Sequence, residues 1–284
     1  MGCAMSYSPP VYGPKPWLQR HWDVRAAMNF MCGGAGSGLL IASAIFDWAG
    51  TQTAPWLVGL ALIGLGLASV WLEIGRKLRF LNVYLNRRTS WMTREAFVAV
   101  AVFGFGALAW LLVSPLLRGL TAVCALGFIY AQARILTASK GIPAWREKRL
   151  VPLILATGLV EGLCLFLLVV GDNTPFAVVI TLLVALPLRW AFWSRYQTRV
   201  LPQLAKHAQA ALAGVSRLGL WGGTALPMLL VVSPFVWPQG ILPAFYAAGV
   251  LGAASGLAFK FVLVRRAAYN QGFALPHLPK RGRE

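Results

Sequence analysis

Residues 150–170 read LVPLILATGLVEGLCLFLLVV, a run of 21 residues in which Glu161 is the only charged side chain. An α-helix of about 20 apolar residues is long enough to cross the hydrocarbon core of a bilayer, which is roughly 30 Å thick. Seven more apolar stretches occur along the chain. The eight predicted spans are residues 26–48, 54–75, 96–113, 116–138, 150–170, 174–193, 208–232 and 241–263. The sequence therefore predicts an all-α polytopic membrane protein with eight transmembrane helices.

The composition supports this fold class. Of the 284 residues, 58% are hydrophobic and only 12% are charged, and the mean hydropathy is +0.66. Lipid rather than water is the expected solvent for most of the surface of such a chain. Because the eight spans use most of the length, no separate soluble domain is expected.

The basic residues predict the orientation. Of the 26 Lys and Arg residues, 25 lie on or nearest the same side of the spans, and Arg118 is the exception. Short basic loops stay in the cytoplasm, so we expect both termini there, in a bacterial or archaeal inner membrane. The net charge of +18 does not indicate nucleic-acid binding, because the bases occupy short loops beside the membrane. It leaves two kinds of partner open, anionic lipid headgroups and a docked acidic protein.

The chain divides into four segments. Residues 1–25 form a polar cytoplasmic segment, and residues 264–284 form a basic cytoplasmic tail. Between them lie a first four-helix unit, 26–139, which contains the basic interfacial loop 76–95, and a second unit, 140–263. A shift of 119 residues places Arg76 on Arg195 and Ser114 on Ser233. Two parallel four-helix repeats would explain this match, and chance in a low-diversity sequence is the alternative.

Polar residues within apolar helices are the candidate functional residues. Asn29, Glu73 and Tyr130 lie on different spans but at a similar height, within about 15 Å of the basic side at 1.5 Å per residue. Glu161 and Arg217 each lie near mid-membrane, so we expect them to pair or to share a polar cavity. They form either a structural ion pair or part of a proton path. Gly34 and Gly38 have the small-xxx-small spacing that permits close helix packing.

Metal and haem sites are not expected in this chain. The four cysteines form no CxxC pair, and the three histidines lie outside the spans or at their edges. Haem held within a membrane usually needs axial ligands such as histidine from the helices. We therefore predict no haem b and no metal here.

Three stretches resemble a known family. They are WLEIGRKLRFLNVYLNRRTSWMTREAF (71–97), NFMCGGAGSGLL (29–40) and KGIPAWRE (140–147). The first is similar to the loop after the second helix of DmsC/NrfD-type anchor subunits of molybdopterin oxidoreductases. The matching positions are Gly75, Arg76, Asn82, Thr89, Ser90, Trp91, Arg94 and Glu95.

The resemblance implies a haem-free subunit that binds quinone, either ubiquinone or menaquinone, and passes electrons between it and an iron–sulfur partner. That partner would be a ferredoxin-like subunit attached to a catalytic subunit carrying a Mo or W pterin. The resemblance further implies that Asn29 and Tyr130 contact the quinone and that Glu95 takes part in its chemistry. Glu73 stands where family members have a histidine. Arg76 would stabilise negative charge, and Glu73 or Glu95 would deliver protons.

The predicted orientation narrows the class of complex. Family members with a cytoplasmic docking face include phenylacetyl-CoA:acceptor oxidoreductases and sulfite dehydrogenases. The chain, including ASKGIPAWRE (138–147), looks closest to the phenylacetyl-CoA type, so the resemblance implies phenylacetyl-CoA oxidation as the activity of the complex. A secondary transporter and a purely structural anchor remain alternatives. The sequence leaves open the partner's substrate, the quinone type, the direction of electron flow and the copy number.

Overall fold

The computed structural model describes residues 14–74, 81–84, 90–236 and 241–273. Ten α-helices occur in this part of the chain. Together with the short turns that join some of them, they form eight helical stretches that are long and apolar enough to cross a membrane. The helices are α1 (Val24–Phe46), α2 (Thr53–Glu73), α3 (Trp91–Leu112), α4 (Pro115–Ala138), α5 (Pro143–Arg146), α6 (Leu150–Val170), α7 (Phe176–Val200), α8 (Lys206–Leu220), α9 (Leu226–Val232) and α10 (Ile241–Arg265). The predicted fold class is confirmed, and the described residues contain no β-strand.

Two helix ends differ from the prediction for physical reasons. Helix α3 begins at Trp91 rather than at residue 96, because the Ser90 hydroxyl accepts a hydrogen bond from the Thr93 backbone N–H at 3.3 Å and caps the helix. Helix α7 continues to Val200 rather than ending at residue 193, since Tyr196 and Val200 are buried in a core beyond the apolar stretch. The early start of α3 places Glu95 inside a helix instead of in a loop.

The seventh span is not one continuous α-helix. Helix α8 continues through a π-helical turn, Trp221–Ala225, into α9. The turn contains Gly222 and Gly223, and a π turn leaves carbonyl groups without their usual helical partners. The buried Arg189 guanidinium on α7 donates hydrogen bonds to the carbonyl oxygens of Gly223 and Gly252. A buried cation therefore stabilises this irregular turn.

Helices α1 and α6 form the centre of the bundle. Helix α1 packs against α2, α4, α6 and α10, and glycine permits the closest of these contacts. A side chain on Gly38 would collide with the backbone of Gly158, and one on Gly162 would collide with the backbone of Gly38. The packing role predicted for Gly38 is thus confirmed.

Arg118, the one base near the opposite side, belongs to a buried ion pair. Its guanidinium donates a hydrogen bond to the Asp47 carboxylate at 3.2 Å and stacks on the Trp56 ring at 4.3 Å. Asp47 also accepts hydrogen bonds from the backbone N–H groups of Thr51 and Gln52, both at 2.9 Å. The pair holds the α1–α2 loop against α4, so this base has a structural reason to break the charge pattern.

The two terminal segments lie against each other on the basic side. Leu18 forms an isolated antiparallel bridge with Tyr269, and the Gln19 N–H donates to the Ala268 carbonyl at 3.0 Å. Trp22 stacks on Trp145 of α5 with ring centroids 4.7 Å apart. This terminal cap covers the basic ends of α1, α6 and α10.

Candidate functional site

A cavity of about 730 Å³ opens on the basic side between α1, α2 and α3. Its volume lies within the range of small-molecule sites. Its wall is mostly apolar and includes Phe30, Leu67, Val70 and Ala99. Gly66 brings α2 close to α1 at the level of Asn29, since a Cβ there would lie 3.2 Å from the Asn29 Cα.

Glu95 is buried in the cavity wall, one turn into α3. The Asn29 side-chain amide donates a hydrogen bond to Glu95 Oε1 at 3.1 Å. In turn, Gln132 of α4 donates from Nε2 to the Asn29 carbonyl at 2.9 Å. Three helices therefore hold one carboxyl group at a fixed place, which the early start of α3 makes possible.

Glu73 lines the same cavity from the last residue of α2 and is half-buried. The segment before α3 also contributes Val83 and Tyr84. The Thr93 hydroxyl donates to the Val83 carbonyl at 2.5 Å, which ties this segment to α3. The predicted convergence of Asn29 and Glu73 is therefore observed, and Glu95 joins them.

Tyr130 does not line the cavity. It is 38% exposed on the outer face of α4, where its ring packs edge-on against Trp91. Its hydroxyl accepts a hydrogen bond from Arg134 at 3.3 Å. The height predicted for Tyr130 is correct, but its helix face is wrong. Arg76 lies outside the described residues.

The predicted pairing of Glu161 with Arg217 is also wrong. Glu161 pairs with Lys260 of α10, with Lys260 Nζ 2.5 Å from Glu161 Oε2, and both side chains are fully buried. Arg217 lies on an exposed face of α8. Arg217 lies in the last turn of α8 and is exposed, whereas Glu161 is buried in the interior of the bundle.

Sequence analysis did not assign three residues to the site. His21 and Trp22 come from the terminal cap and line the mouth of the cavity. No helical periodicity precedes α1, so the sequence had no signal for this placement. Gln132 follows Tyr130 by two residues, and its burial could have been inferred only with knowledge of which face of α4 meets α1.

The polar side chains that line the cavity include one amide and two carboxyl groups. Asn29 Oδ1 is buried and has no hydrogen-bond partner among the described residues. The carboxyl groups of Glu73 and Glu95 can accept or donate according to their protonation. An apolar wall with a few convergent polar groups is typical of a site for a largely apolar ligand.

The family model for the DMSO reductase anchor subunit (DmsC) matches residues 51–248. The chain belongs to the DmsC family. A comparison with curated proteins finds no match. Membership makes the chain a multi-pass membrane anchor of a molybdoenzyme complex that interacts with quinone and works with iron–sulfur subunits. The matched residues include Glu73 and Glu95, whereas Asn29 and Lys260 lie outside them.

Proposed function

We propose that the chain binds membrane quinone in the cavity between α1, α2 and α3, while an iron–sulfur subunit docked on the basic side exchanges electrons with it. The observation that carries this proposal is the buried Asn29–Glu95 hydrogen bond in the wall of a cavity of about 730 Å³. A bound quinone supplies two-electron, two-proton chemistry at its ring oxygens.

Asn29 and Glu95 would hold the ligand. Asn29 has a buried amide oxygen without a partner among the described residues, and its amide nitrogen fixes the position of the Glu95 carboxyl group. Fixing the carboxyl group in advance lowers the entropic cost of aligning it with a ring oxygen. Glu95 is therefore the group that we expect to hold or release a proton at the inner end of the cavity.

Glu73 and His21 would exchange protons with the basic side. Both line the mouth, where Glu73 is half-buried and His21 is exposed. Imidazole changes its protonation near neutral pH, which suits it to pass protons between bulk water and a buried site. In this proposal Glu161 serves no proton path across the membrane.

We also propose that the basic side is cytoplasmic and that the catalytic partner works there, in the inner membrane. The clustering of basic residues on that side supports this orientation. Phenylacetyl-CoA oxidation remains our hypothesis for the reaction, on the resemblance of KGIPAWRE. A fluorescent protein fused after Glu284 tests the orientation, because it matures in the cytoplasm but not after export through the general secretory route.

The variant Glu95→Gln tests the proposed site. A neutral amide fills the same volume but cannot release a proton, so we expect turnover with quinone to fall by about 10²-fold or more. The measurement is quinone-dependent activity of the purified complex. The matched control is Glu147→Gln, because Glu147 lies on the same side at the end of α5, away from the cavity. Equal activity in both variants would reject the site.

A further inference from the structure

The described part of the chain buries equal numbers of acidic and basic side chains, but two of these side chains lack an oppositely charged neighbour. Three are acidic and three are basic: Asp47, Glu95, Glu161, Arg118, Arg189 and Lys260. Asp47 pairs with Arg118, and Glu161 pairs with Lys260. Among the described residues, Glu95 and Arg189 have no oppositely charged group at ion-pair distance. Burying a charged group without a counter-charge costs free energy, so the groups around Glu95 and Arg189 determine whether each can be charged.

Positive and negative charges alternate along Arg189, Glu161, Lys260 and Glu95. Arg189 is close enough to Glu161 to interact with it electrostatically, and Glu161 contacts Lys260 directly. Both Arg189 and Gly256 line a small cavity of about 30 Å³, and Glu161 Oε1 lies against Gly256. The positive, negative and positive groups therefore follow one another from α7 through α6 to α10.

Lys260 then faces the amides that hold Glu95. Its ammonium lies against Gly34, where a side chain would collide with it, and the same position lies 3.8 Å from Gln132 Oε1. That oxygen is buried and has no partner among the described residues. Gln132 also donates to the Asn29 carbonyl, and Asn29 donates to Glu95. Lys260 Nζ and Gln132 Oε1 therefore lie at most about 6.0 Å apart, and Gln132 begins the amide chain that leads to the cavity.

Nothing in the surroundings screens these charges strongly. Towards the opposite side of the membrane, the next layer is an apolar cluster that includes Leu39, Phe166, Leu186 and Phe245. Charges that are removed from water interact over longer distances than they do at a surface.

We propose that Arg189, Glu161 and Lys260 form a fixed line of charge whose positive end faces the cavity and favours negative charge there. This inference rests on the proposed function, because it concerns two negative charges that arise only when quinone reacts in the cavity. One is the charge that electrons add to the quinone ring, and the other is the charge on Glu95 after it gives up a proton. Lys260 acts through Gln132 and Asn29 and does not touch the ligand. It is therefore a positioning residue.

The test compares two probes of nearly the same shape in the purified complex. One is a hydroxynaphthoquinone, which is an anion at neutral pH, and the other is its neutral methoxy analogue. Quenching of tryptophan fluorescence measures the affinity of each. We expect Lys260→Gln to weaken binding of the anionic probe by about tenfold and to leave the affinity of the neutral probe unchanged.

Two further variants keep the test decisive. The double variant Glu161→Gln/Lys260→Gln replaces the ion pair by two amides that can still hydrogen bond, and it should lose the same preference for the anion. Lys206→Gln removes a charge from the start of α8 and should change neither affinity. A Lys260→Gln protein that binds both probes as the wild type does, or loses both equally, would overturn the inference.

Failure of the proposed function gives a different result. If the cavity does not bind quinones, the wild-type complex will bind neither probe, or will bind both in a way that Glu95→Gln does not change. The charge line fails when the wild-type complex binds both probes at a Glu95-sensitive site and Lys260→Gln leaves their affinity ratio unchanged.

Discussion

The two halves of the bundle pack their helices alike but enclose different spaces. Helix α1 packs against α2 and α4, as α6 packs against α7 and α10. The division into two four-helix units, 26–139 and 140–263, stays a prediction from the sequence. The first half encloses a cavity of about 730 Å³, whereas the matching region between α6, α7 and α8 encloses one of about 30 Å³.

Aromatic side chains line both cavities, and in the second half they fill most of the space between the helices. Trp190, Trp193 and Phe259 line the small cavity of the second half, and Trp193 packs edge-on against Phe259 with centroids 5.2 Å apart. Small residues such as Ala68 and Ala96 line the large cavity. Similar helix arrangements can therefore give either a ligand site or a packed core, depending on a few side-chain volumes.

The largest effect should come from opening the second half. Trp193→Ala removes a buried indole that donates a hydrogen bond to Ser216 at 3.1 Å, and it should destabilise the protein by about 3–5 kcal/mol. Thermal unfolding in detergent measures this loss. Quinone-analogue affinity should stay at the wild-type value at temperatures where the variant is folded, and a large change in affinity would show that the small cavity also shapes the ligand site.

Filling the first half should have an intermediate effect. Ala96→Phe places a ring in the cavity wall and makes it resemble the second half, so the affinity for a quinone analogue should fall by about 10–100-fold, about 1–3 kcal/mol. Fluorescence titration of the purified complex measures the loss. The control is Ala107→Phe, on an exposed face of the same helix. Similar losses in both variants would indicate a defect in folding rather than in the cavity.

The smallest effect should come from a substitution at the mouth of the large cavity. His21→Gln removes the one imidazole that lines the cavity among the described residues. Quinone turnover should fall by about two- to tenfold, because the mouth loses a group that can carry protons. His207→Gln is the control, because His207 stacks on Tyr269 away from the cavity. Equal turnover in the two variants would remove His21 from the proton route.

The sequence by itself determined the all-α fold class and the eight apolar spans. These properties depend on the number and order of apolar residues along one helix, which any reader of the sequence can count. For this reason Asn29 and Glu73 were correctly expected at one level, and the motif around Glu95 identified the family before its position was known.

Only the tertiary structure decided which residues meet. Height along a helix does not fix the direction in which a side chain points, so Tyr130 lies at the expected level but faces outward. The partner of Glu161 is Lys260, 99 residues away, because α6 and α10 pack side by side and Arg217 faces away from them. Close packing of α1 against α4, α6 and α10 selects these contacts, and no local pattern encodes the arrangement of four helices around a common centre.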